Sequence, residues 1–171
     1  MTGSRQSDRP AATLRVPVAA ALAAALVATP STPSAAGEGP WVPPVSPLHV
    51  ASMFDPPARD WLPGHRGVDL VAEPGGIVRA AGPGVVTFAR DLAGRGVVSL
   101  DHGTLRTTYE PIDARVAVGQ HVAAGTPIGT SGTGTGHCGT GQCVHVGLIR
   151  GGEYLNPLLL FGPRTALLRP W

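Results

Sequence analysis

Residues 96–109 read GVVSLDHGTLRTTY. Apolar and polar side chains alternate on both sides of Asp101-His102-Gly103, a pattern that predicts two strands folding back about a tight turn. Working outward, Gly76 to Arg90 (GIVRAAGPGVVTFAR) holds two β-runs around a Gly-Pro-Gly turn. Val116 to Gly129 (VAVGQHVAAGTPIG) sets valine and isoleucine beside glycines that permit sharp chain reversals. Cys143 to Arg150 (CVHVGLIR) reads as a further strand, with Cys143 and His145 on one face. Tyr154 to Phe161 (YLNPLLLF) is an apolar closing segment expected to complete the core. No helical period stands out beyond the first 36 residues, so the expectation is a compact, all-β domain, antiparallel and sandwich- or barrel-like, over 47–163.

Composition agrees with that reading. The chain has 171 residues, one domain's worth, with 24 glycines, 18 prolines and only 5% aromatic residues. Many short strands joined by turns suit this composition better than long helices. The formal net charge is +2, and every cationic residue is arginine. Without lysine no biotin or lipoate can be carried on an ε-amine, and so small a charge gives no reason to expect nucleic-acid binding.

Residues 1–36 have the layout of an export signal. Arg5, Arg9 and Arg15 precede the apolar run Val16 to Ala28, and Ser34-Ala35-Ala36 offers a cleavage site. The run is shorter than the roughly 20 apolar residues that span a bilayer, so no membrane span is expected after cleavage. Residues 37–46 (GEGPWVPPVS) read as a proline-rich extended lead-in and 164–171 as a tail. Export implies a secreted or wall-associated protein, and it places the only two cysteines, Cys138 and Cys143, where an even count favours a disulfide.

Three side chains suggest a site. His65 and Asp69 lie four apart in PGHRGVDL, a segment too rich in glycine and proline for a helix. In an extended chain positions i and i+4 share a face, and His145 could join them from a distant strand. Two imidazoles and a carboxylate suit zinc with one coordination position left open. The blander reading is an interior histidine and a chance HxxxD.

The segments GHRGVDLVAEPGGIVRAAGPGVV, DHGTLRTTYEPI, VAVGQHVAAGTPIGTSG and CVHVGL, in this order, resemble the LytM/lysostaphin-type zinc metallopeptidases. The resemblance covers nearly all of the expected domain. It implies a small antiparallel β fold that cuts peptide bridges in peptidoglycan, with 116–129 resembling its duplicated hybrid motif. Position by position, it implies zinc ligands at His65, Asp69 and His145. It also implies a peptidoglycan peptide as the partner; a monomer is expected.

Two positions depart from the pattern. The family's two non-ligand histidines, which assist proton transfer, fall on Cys143 and Pro111. Proline has no side chain able to donate, accept or act as a base. Glu110 and His137 are the candidates for catalytic replacement, against an exposed glutamate at a strand end and a solvated loop histidine. Glu110 resembles the glutamate base of HExxH enzymes, but alternation puts it on the face opposite Tyr109 and Pro111. Cys143 has three readings: a fourth zinc ligand that closes the site, a free thiol, or a disulfide partner of Cys138, which export favours. His49, His102 and His121 read as structural or solvated. Two functions follow: a zinc endopeptidase of the cell wall, or a non-catalytic relative that keeps zinc and binds wall or regulates a hydrolase.

Overall fold

The computed structural model describes residues 2–3, 41–132 and 142–161. The chain divides into two units, Met1–Thr32 and Pro33–Trp171, and the elements below belong to the second. They are β1 (Val50–Ser52), β2 (Gly67–Val71), β3 (Ile77–Arg79), β4 (Gly84–Leu92), β5 (Arg95–Asp101), β6 (Arg106–Glu110), β7 (Ile112–Ala114), β8 (His121–Val122), β9 (Pro127–Ser131), β10 (Cys143–Arg150), β11 (Glu153–Leu155) and one helical turn, α1 (Leu158–Phe161). Apart from residues 2–3, the expected export signal lies outside the described residues, as do His137, Cys138 and the tail.

The 96–109 run forms β5 and β6, paired antiparallel from Val98–Tyr109 to Asp101–Arg106. Their turn is closed by a His102 N–H to Leu105 O bond, and Gly103 takes the left-handed conformation with φ 88°. Asp101 Oδ1 accepts the Gly103 N–H at 2.8 Å, a side-chain brace that tightens the reversal. On the other side β5 meets β4 through Ala93 and Gly94, both with positive φ. Two such residues match the twist of the flanking strands.

A larger sheet runs β1-β2-β10-β6-β5-β4-β8, with β11 on β10, and a smaller one runs β3-β9-β7. Val68, Leu70, Val98, Leu100, Tyr109, Val144 and Val146 of the larger sheet share one core with Val78, Ile112 and Ile128 of the smaller. Fully burying an aliphatic side chain is worth roughly 1.5–3 kcal/mol. Six such side chains and Tyr109 on one face therefore lock the register, because a slip by one residue would drive them into solvent and His145 into the core. The all-β expectation holds.

Three local readings are refined. The β-runs flanking Gly82-Pro83-Gly84 do not pair with each other; β3 pairs with β9 and β4 with β5, so this turn carries the chain between sheets. The proline-rich segment packs: Val42 N–H bonds Ala81 O, Arg79 N–H bonds Pro44 O, and Val45 is buried. The closing segment ends in α1, whose Leu158 and Phe161 enter the core. Among the described residues no helix is long and apolar enough to cross a membrane.

Candidate metal centre

Tyr109, Val144, Val146, Val68 and Leu70 face the core, so the alternate positions of β2, β10 and β6 face outward. Directly paired residues share a face. His145 pairs with Asp69 of β2 on one side and with Glu110 of β6 on the other. His65 precedes β2 and is held by a backbone bridge to Asp55.

These positions bring His65, Asp69 and His145 together. His145 Nδ1 lies 2.8 Å from Asp69 Oδ1, and His65 Nε2 lies 3.1 Å from both. The rings meet edge-on at 4.9 Å. Asp69 is fully buried, and the two histidines are partly buried, His65 at 20% and His145 at 13% exposure. Burial works against the charged carboxylate, but hydrogen bonds and charge from His145 and His65 outweigh it and hold Asp69 below its ordinary pKa. Burial pushes His145 down, only partly offset by Asp69, which favours the neutral imidazole that ligates metals.

The donor set fits a metal ion. His65 Nδ1 lies 2.6 Å from Met53 O, so this nitrogen carries the proton and Nε2 presents its lone pair to Asp69 and His145. The three ligand atoms lie within 4.8 Å of one another. Ligands at the usual zinc distance stand roughly 3.3 Å apart in a tetrahedral shell, close to the separations here. Gly67 leaves room for this packing: a Cβ there would sit 2.6 Å from His145 Nε2 and would collide with Val146 O.

The remaining candidates separate. Glu110 does lie opposite Tyr109, but Tyr109 is in the core, so the same alternation puts Glu110 on the face of His145. Both its oxygens are held by Arg95, from Nε at 2.8 Å and Nη2 at 3.3 Å. Sequence reasoning missed Arg95, because the contact depends on how β5 meets β6. Pro111 is buried where β6 gives way to β7. Cys143 is buried, faces outward with His145 and is disulfide-bonded. The metal-capable group among the described residues does not include it. His137 and Cys138 lie outside the described residues.

Residues 63–157 match peptidase family M23. The uncharacterized protein Rv2891 of Mycobacterium tuberculosis is 46% identical over 129 residues, 72% of this chain and 52% of that protein. Peptidoglycan DD-endopeptidase ShyC of Vibrio cholerae is 35% identical over 126 residues, 70% of this chain and 29% of that protein. Among solved structures, the catalytic domain of the prophage-encoded M23 protein EnpA from Enterococcus faecalis shares 27% identity at a TM-score of 0.55, covering 66% of this chain and 91% of that one. The chain therefore spans about half the length of the mycobacterial relative and less of the Vibrio protein. With its fold and its histidine–aspartate cluster in place, the chain belongs to peptidase family M23.

Proposed function

We propose that this chain is an exported zinc peptidase that hydrolyses peptide bonds in peptidoglycan cross-links or stems. The observation that carries the proposal is the convergence of His65, Asp69 and His145 at 2.8–3.1 Å on the outward face of the larger sheet. Family membership and the likeness to a peptidoglycan endopeptidase support the substrate class. Zinc bound by these three residues would supply a Lewis acid for a peptide carbonyl and lower the pKa of an attacking water.

The chain's own groups would do the rest. Met53 O fixes the His65 tautomer, and Gly67 lets the His145 ring stay close to Asp69. Glu110, next in the transverse row, is our candidate to take a proton, with Arg95 fixing its position. His137 is the second candidate.

A second reading is supported by Pro111 and the disulfide-bonded Cys143, which occupy the positions of the family's non-ligand histidines. On that reading the protein keeps zinc but binds wall or regulates another hydrolase. General acid–base help is typically worth 10²–10⁴-fold in rate, so its loss separates the two readings experimentally. Purified protein should contain one zinc per chain under both. Release of new amino termini from peptidoglycan, abolished by chelator and restored by zinc, is expected of the peptidase alone. No release from walls of several cross-link types, with zinc bound, would leave the second reading standing. If release occurs, Glu110→Gln and His137→Ala identify which group moves the proton.

A further inference from the structure

The strand pairings extend the metal row beyond Glu110. Val98 pairs with Tyr109 in the core, so its neighbours Arg95 and Val97 lie on the outward face of β5. Val97 pairs with Arg90 of β4, and Leu92 pairs with Arg95. One face thus carries Asp69, His145, Glu110, Val97 and Arg90 across β2, β10, β6, β5 and β4, with Arg95 reaching over to Glu110.

The charges on this face are unevenly matched. Asp69 belongs to the metal cluster, Glu110 is bound by Arg95, and Arg106 has Asp101 directly across the ladder. Arg90 has the buried, uncharged Val97 opposite it, and among the described residues no ion pair engages it. Its guanidinium lies 4.9 Å from the Phe88 ring centre on the same face, which holds the exposed side chain along the sheet. Arg95 gives Glu110 two of its five N–H groups and is 40% exposed, so three donors in a fixed plane remain for a ligand.

We infer that Arg90 and Arg95 form a carboxylate-binding subsite for the acidic part of a peptide whose scissile bond lies at the metal cluster. The inference rests on the peptidase reading above and adds the substrate's chemistry to it. Strands stand about 4.8 Å apart, which puts β4 roughly 14 Å from β10. An extended peptide covers about 3.3–3.6 Å per residue, so a carboxylate about four residues from the scissile amide meets Arg90, and one about three residues away meets Arg95. Glu110 orients Arg95 but also sets a negative charge beside the incoming one.

The test is calorimetric binding of a synthetic stem peptide with free carboxylates, against the same peptide with carboxamides. The purified full chain is used with and without chelator, and its zinc content is measured in each sample. The carboxylate form should bind roughly tenfold tighter at low salt, with the preference shrinking as salt rises. Arg90→Gln and Arg95→Gln should each reduce the preference, and Glu110→Gln should increase it, with melting temperature and zinc content preserved. Equal affinity for the two forms, or a preference that survives the double arginine variant, overturns the inference. Failure of both peptides to bind overturns it too, while release of amino termini from whole walls judges the peptidase reading separately.

Discussion

Two polar clusters on opposite faces of the same sheet use similar side chains and reach opposite results. On the core face, His102 is wholly buried with Thr107 and Tyr109. His102 Nδ1 lies 2.7 Å from Pro83 O, which can only accept, so that nitrogen carries the proton. Burial holds the ring's pKa down and keeps it neutral, so Nε2 accepts from the Thr107 hydroxyl at 2.8 Å. Thr107 Oγ1 then accepts from Tyr109, 2.9 Å away, and the Tyr109 oxygen accepts the Ala81 N–H at 2.9 Å. Every donor meets an acceptor and the chain closes on itself. On the outward face, His65 gives its N–H to Met53 O, and a lone pair, a second imidazole and a carboxylate converge. The closed network suits structure, and the acceptor-rich one suits a cation.

The most disruptive test removes a ligand. His65→Ala should abolish stoichiometric zinc, measured by metal analysis after dialysis, and any hydrolysis with it. The fold should persist, because His65 lies outside the buried core cluster. Retention of full zinc by this variant would break the contrast between the two clusters.

Gly67→Ala probes the metal face more gently. The added methyl meets the His145 ring and the Val146 carbonyl, so overpacking should cost about 1–3 kcal/mol in urea unfolding and weaken zinc. Tyr109→Phe probes the other face. Burial pushes the Tyr109 hydroxyl up to about 12, so it stays protonated, and deleting it strips partners from Thr107 and Ala81. A buried group left unmatched costs about 1–3 kcal/mol, here with zinc content unchanged. If Tyr109→Phe releases zinc, the two clusters are coupled through β6 and β10.

Which parts of this contrast can be read from sequence depends on the range of the contacts. The 96–109 hairpin and the strand Cys143–Arg150 are local, and alternation with turn residues reveals them. His65 and Asp69 are close in sequence, and their pairing with His145 rests on resemblance. The Arg95–Glu110 contact depends on register between strands, which alternation alone does not supply. Glu110 shows the difference best. Its parity relative to Tyr109 was legible, but only the packing of Tyr109 beneath the smaller sheet says which parity faces His145. His102, which reads from sequence as structural or solvated, is decided the same way: Trp41 from the proline-rich segment covers it edge-on at 4.9 Å and makes it structural.

The smallest effect expected is in the pH dependence of stability, and it isolates His102. Its folded pKa lies below the ordinary 6.5 because burial outweighs the Pro83 bond and the Asp101 charge. Between the two values the unfolded chain holds more protons than the folded one, so acidification favours unfolding. This contribution is fully present above about pH 6.5 and is lost as pH falls toward the folded value. Protonation would also turn Nε2 into a donor and force Thr107 to reverse, leaving the Tyr109 hydroxyl without its acceptor. Urea unfolding of metal-free protein between pH 7.5 and 5 should therefore lose stability more steeply for the wild type than for His102→Asn, whose side chain does not titrate. Parallel curves would show that the buried imidazole accepts a proton in place, and that the core network is less closed than its geometry implies.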